Sequence, residues 1–135
     1  MIVVDTNIIG YLLLDSSLSE TCEAVLKADP QWAAPRLWRN EMRSVLGHYI
    51  RKGILSLADA KQIMTQATRL MQGSEYEVPS NQVLDLADAS TCSAYDCEFV
   101  ALARDLQVPL VTSDRQILKE FSETAIAVDD FVTAG

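Results

Sequence analysis

Ile2-Val3-Val4-Asp5-Thr6-Asn7 opens the chain behind its first methionine, and Val108-Pro109-Leu110-Val111-Thr112-Ser113-Asp114 answers it near the other end. Each is a short, β-branched apolar run without alternation, followed by an aspartate. Runs of that kind suit strands of a parallel sheet covered on both faces. In open α/β sheets the residues just past the carboxyl ends of strands line the ligand crevice. If the first and fourth strands lie side by side at the sheet centre, as the connection rules permit, Asp5 and Asp114 reach the same edge.

Between these runs, helical and extended signals alternate. Helices are expected from Ile8 to Leu14 and from Ser19 to Ala28, and a short strand at Trp32-Ala33-Ala34 before Pro35. A strong helix is read from Arg36 to Lys52, with Trp38, Met42, Val45, Leu46 and Tyr49 on one apolar stripe and Gly53 as its stop. Ser56 caps a helix over Leu57 to Met71, and Tyr76-Glu77-Val78 before Pro79 reads as a third strand. Ser80 or Asn81 opens a helix through about Thr91, and Ser93 opens another. After the strand Pro109 to Thr112 come a helix from Ser113 to Phe121 and a last strand from Ala125 to Val128, with Phe131 packing the tail. The expected fold is α/β, a three-layer sandwich around a central, mainly parallel sheet of about five strands.

The 135 residues, 49% hydrophobic, are enough for one domain spanning 1–135. Nineteen acidic residues against eleven Lys and Arg give a net charge of −8, which argues against nucleic-acid binding by bulk electrostatics. A nuclease with a local basic rim survives that test, and so does a protein whose usual partner is a basic polypeptide. The opening residues have neither a basic start nor a long apolar core, and no apolar run approaches a membrane span. A cytoplasmic protein is expected. Cys22, Cys92 and Cys97 lack the close paired spacing of a zinc site, and packing is the expected role of Cys92 and Cys97. His48 is the lone histidine, which argues against His-rich metal sites and a Ser-His-Asp triad.

Four acids stand out: Asp5, Glu41, Asp96 and Asp114. Each has a plain structural explanation. Asp5 and Asp114 can cap the helices that follow them, and Asp96 lies three residues after Ser93 in a capping-box pattern. Glu41 sits at the edge of an apolar stripe, inside the helix read from Arg36, where capping does not account for it. Capping does not predict that the four converge, and carboxylates sharing one pocket repel unless a cation intervenes. Hard oxygen ligands with open positions suit Mg²⁺ or Mn²⁺ rather than zinc. Asn7 could orient a carboxylate and Thr112 could hold a water on the metal, although ordinary loop and strand-end hydrogen bonding explains both equally well.

Val3-Val4-Asp5-Thr6-Asn7, Glu41 in an apolar helix, Tyr95-Asp96 opening a helix, and Leu110-Val111-Thr112-Ser113-Asp114 after a strand together resemble the PIN-domain nucleases. A free-standing chain of this length is most similar to the VapC toxins of toxin–antitoxin pairs. The resemblance implies a Mg²⁺- or Mn²⁺-dependent endoribonuclease that leaves a 5′-phosphate and a 3′-hydroxyl. It implies Asp5, Glu41, Asp96 and Asp114 as the catalytic, metal-binding acids, supported by Asn7 and Thr112. The implied partners are an RNA substrate, a cognate antitoxin and a second copy of the chain. Gln116 departs from the pattern, since many members carry a further acid or Asn there. A basic rim for RNA is expected at Arg36, Arg39 and Arg43, with Arg51 and Lys52 close by, unless these form a solvated helix face. Two other functions are weighed beside it: PIN-type RNA processing without an antitoxin, and a catalytically silent PIN-like binding module, which the intact acid set disfavours.

Overall fold

Five short strands pair in the order β3-β2-β1-β4-β5, and every neighbouring pair is parallel. They are β1 (Ile2–Val4), β2 (Trp32–Pro35), β3 (Glu75–Tyr76), β4 (Leu110–Thr112) and β5 (Ala125–Ala127). Helices flank the sheet: α1 (Thr6–Leu13), α2 (Ser19–Ala28), α3 (Trp38–Arg51), α4 (Leu57–Met71), α5 (Ser80–Asp88), α6 (Ala94–Leu106), α7 (Arg115–Glu120) and α8 (Val128–Ala134). The structure is a computed structural model and describes residues 1–134. The fold is α/β with a central parallel sheet, as the alternating runs predict.

The strand order explains where a ligand belongs. From β1 the chain builds outward to β2 and β3, then returns to the other side of β1 for β4 and β5. The reversal falls between β1 and β4, where Val3 pairs with Leu110 and Val4 with Val111. Helices leave a parallel sheet on opposite sides of such a switch point, which opens a crevice at the carboxyl ends of its strands. Both runs are fully buried, from Ile2 to Val4 and from Leu110 to Thr112. Around them Ile8, Trp32, Trp38, Met42, Met71, Phe99 and Leu102 form a continuous core. Burial of side chains this large, at roughly 25 cal/mol per Å² of apolar surface, is the main term holding the switch point rigid.

Several boundaries differ from the sequence reading, each for a local reason. The helix expected from Arg36 begins at Trp38, because the Arg36 N–H still donates to Tyr76 O in the strand ladder. β3 covers Glu75–Tyr76 and not Tyr76 to Val78, since its pairing with β2 runs from Ala34 opposite Glu75 to Pro35 opposite Tyr76 and closes on the Arg36 N–H bond to Tyr76 O. α5 stops at Asp88, short of Thr91; past its end Ser90 turns its hydroxyl back to Leu86 O and accepts from Cys92 N. β5 ends at Ala127, and the tail that Phe131 was expected to pack is helix α8, with Asp129 and Asp130 in its favourable first turn.

Candidate metal centre

Each of the four acids enters at the start of a helix. Asp5 is the N-cap of α1 and Asp114 the N-cap of α7, while Glu41 and Asp96 lie in the first turns of α3 and α6. Glu41 was expected deep inside its helix; the later start at Trp38 brings it to the end. Four helix N-termini, each with a partial positive charge, therefore meet the acids at the sheet edge. All four acids line one cleft of about 380 Å³.

Capping occupies one oxygen of each of two carboxylates. Asp5 accepts from the Thr6 N–H through Oδ1 at 2.8 Å and from the Thr112 hydroxyl through Oδ2 at 2.7 Å. Asn7 Nδ2 lies 3.5 Å from the same Oδ2, a long contact at best. Asp114 accepts from the Ile117 N–H through Oδ1 at 3.0 Å, and its own N–H donates to Thr112 Oγ1 at 3.0 Å. Thr112 is fully buried and ties Asp5 to Asp114 with one hydroxyl. Its hydrogen is committed to Asp5, so whatever support it gives the site runs through that carboxylate.

Sequence reasoning passed over Thr6. It is buried, and its hydroxyl donates to Glu41 Oε1 at 2.6 Å, fixing the acid on α3 from the first turn of α1. The available signal was a β-branched hydroxyl residue in a helix first turn, a position that favours side-chain hydrogen bonding over helix propensity. Gly10, Tyr11, Leu14, Asp15 and Ser16 also line the cleft and were not read as site residues, and Met42, Val45 and Tyr49, read only as an apolar stripe, line it too. The arginines sit elsewhere. Arg39 is held by Glu75 through two hydrogen bonds of 2.6 Å, with Trp38 Nε1 donating to the same carboxylate at 2.9 Å. Arg43 donates to Asn40, and Arg36 is exposed.

The electrostatics of the cleft are uncompensated. Burial pushes the Asp5 carboxyl up to about 7, the Thr112 hydrogen bond opposes that rise, and Glu41 and Asp96 add repulsion. Glu41 and Asp96 are also raised, mainly by burial, then by Asp96 and Glu98 acting on Glu41 and by Asp114 acting on Asp96. The ion pairs among the described residues, Met1 with Asp29 and Arg39 with Glu75, involve none of the four acids. No lysine, arginine or histidine lines the cleft.

A divalent cation fits this donor set by its chemistry. The donors available are hard oxygens, and the Asp96 carboxylate accepts no hydrogen bond among the described residues. Asn7 Oδ1 is buried without a partner, a neutral oxygen left over at the same place. The carboxylates stand around the cleft and do not meet at a point: no three His, Cys, Asp or Glu among the described residues already form a metal cluster.

Comparison with known proteins fits this geometry. Residues 2–125 match the family model for the PIN domain. PAE2754 from Pyrobaculum aerophilum has a similar fold, with a TM-score of 0.79 at 22% identity over 98% of this chain and 94% of that one. FitAB, solved bound to an IR36 DNA fragment, gives 0.71 at 16% identity over 95% of each chain. FitAcB from Neisseria gonorrhoeae gives 0.70 at 16% identity over 95% of this chain and 98% of that one. No curated protein matches by sequence. The matched segment runs from β1 to β5 and contains all four acids, and the chain belongs to the PIN domain family, a family of nucleases.

Proposed function

We propose that this chain is a Mg²⁺- or Mn²⁺-dependent endoribonuclease and the toxin of a toxin–antitoxin pair. The observation that carries the reading is the cleft at the switch point, lined by Asp5, Glu41, Asp96 and Asp114 with no basic side chain to offset them. When bound, a divalent ion there supplies an activated water and offsets charge developing on the scissile phosphate. The protein's own groups then divide the remaining work. Asp5 has both oxygens engaged, by the Thr6 N–H and the Thr112 hydroxyl, and serves as a fixed ligand. Asp96 has no such restraint and is half-buried, which suits it to accept a proton from the attacking water.

The antitoxin assignment rests on charge and on the DNA-bound relative. FitAB was solved on a DNA fragment. A chain of net charge −8 offers little to a DNA duplex by itself, so an assembly on DNA calls for a second, DNA-binding component. A basic segment of that component, laid over the acids, would compete with metal and substrate through charge-assisted contacts. RNA outside the cleft falls to Arg36 and Arg43, since Arg39 is already held by Glu75.

Incubation of the purified protein with RNA and Mg²⁺ tests the reading. Cleavage to 5′-phosphate and 3′-hydroxyl ends is expected, with complete loss in Asp5→Asn and Asp96→Asn at retained fold. Full activity in either variant contradicts it. Expression alone should arrest growth, and co-expression of the neighbouring reading frame should restore it.

A further inference from the structure

The acids occupy only part of the cleft. The rest is walled by Gly10 and Tyr11 of α1, by Leu14, Asp15 and Ser16 just past its end, and by Met42, Val45 and Tyr49 of α3. Gly10 lies inside a helix, where glycine weakens the element relative to alanine. Nothing in the fold demands it there: a Cβ at Gly10 meets no atom within 4 Å. The bare backbone leaves open space on a wall of the same cleft that holds the acids. Tyr11 and Tyr49 are half-buried, and neither hydroxyl has a hydrogen-bond partner among the described residues. Val45 beside them is 38% exposed, unusual for a residue on the apolar stripe of its helix.

We propose that this arm is a nucleobase subsite, which seats the base next to the phosphodiester cleaved at the acids. The inference rests on the ribonuclease reading above. No lysine or arginine lines the cleft, so single-stranded RNA cannot be held there by ion pairing with phosphate. Its remaining handle is the base, and single strands are recognised by unstacked bases laid on aromatic side chains. The open wall at Gly10 gives a flat ring room to enter, the two tyrosines give it aromatic surface, and their free hydroxyls give its edge polar partners. Because the arm is continuous with the acids, a strand whose phosphate lies among them carries its adjoining nucleoside toward the arm.

The test uses the full chain in an Asp96→Asn background, so that RNA is not consumed, with Mg²⁺ raised until RNA affinity no longer changes, so that the weakened site stays loaded. Fluorescence anisotropy compares a fluorescein-labelled RNA hexamer with the same hexamer made abasic at its central positions. The intact strand should bind at least about tenfold more tightly, and Gly10→Met should erase that difference without weakening abasic affinity or lowering the melting temperature. If Gly10→Met does not fold, Tyr11→Ala and Tyr49→Ala replace it, with Tyr→Phe controls that retain the stacking surface. Equal affinity for intact and abasic strands overturns the subsite, and so does a difference that survives the substitutions. A Gly10→Met protein that keeps the base preference but loses the antitoxin makes the arm a peptide site and also overturns it. Cleavage by the otherwise wild-type chain is assayed in parallel. Cleavage without base preference removes only the subsite, whereas no RNA cleavage at all removes the functional reading as well.

Discussion

The Thr112 hydroxyl donates to Asp5 Oδ2 at 2.7 Å and accepts from the Asp114 N–H at 3.0 Å, joining residues from both sides of the sheet's reversal point. One buried oxygen thus sets the position of two acids that the sequence separates by nearly the whole chain. The same contact opposes the effect of burial on Asp5, because it stabilises the ionised form.

Thr112→Val keeps the shape of the side chain and removes the hydroxyl. The Asp5 carboxylate and the Asp114 N–H each lose a partner in a buried setting, at a cost of about 1–3 kcal/mol. Urea denaturation should show that loss, and calorimetry should show weaker Mn²⁺ binding; Thr112→Ser should restore both. Unchanged stability in the valine variant would mean that the hydroxyl does not organise the site.

Asp5 gives the metal-free protein a defined pH dependence. Its folded value is about 7 against an ordinary 3.8, so between these limits the folded chain holds a proton that the unfolded chain has released. The stability it contributes is fully present below the unfolded value and is lost as pH rises through about 7. Metal-free melting temperature should therefore fall between about pH 5 and pH 8, and Asp5→Asn should flatten the fall. A divalent cation needs the ionised carboxylate, so the stabilisation by Mn²⁺ should be larger at about pH 8 than at about pH 6. A Mn²⁺ effect indifferent to pH across that range argues against Asp5 as a ligand.

The basic rim separates into two kinds of arginine. Arg43→Glu should weaken RNA binding and flatten its dependence on salt, because Arg43 has no carboxylate partner among the described residues. Arg39→Glu should lower stability as well, since it places a second carboxylate against Glu75, whose own carboxyl is held down by Arg39. Filter binding at several salt concentrations, with a thermal melt of each variant, distinguishes them; identical behaviour of the two contradicts the assignment.

Gly10→Ala fills open space within a helix without meeting a neighbour. It should stabilise the protein by roughly 0.5–1 kcal/mol. A loss of stability on denaturation would show that the glycine serves the fold itself and not an incoming ligand.

Much of the fold was legible because two signals agreed. The runs at Ile2–Val4 and Leu110–Thr112 are too apolar and too short for anything but buried strands, and their closing aspartates mark the sheet edge. Ser56 and Ser93 cap helices where their positions say they should. Less legible were elements whose limits depend on a distant partner. β3 is two residues long because its pairing with β2 closes at the Arg36 N–H bond to Tyr76 O, and α3 starts late because Arg36 remains in that ladder. Neither fact can be seen from local composition. At the site, the acids were readable as types at strand and helix starts. Thr6 and the Gly10 wall were not, since their meaning comes from what stands across the cleft.

Calorimetric titration of the metal-free chain with Mn²⁺ at about pH 7.5 addresses the central claim most directly. Saturable uptake of at least one ion per chain is expected, with a rise in melting temperature, and both should vanish in Asp5→Asn and weaken sharply in Asp96→Asn. Well-folded wild-type protein that takes up no Mn²⁺ or Mg²⁺ would contradict a cation-dependent site at Asp5, Glu41, Asp96 and Asp114.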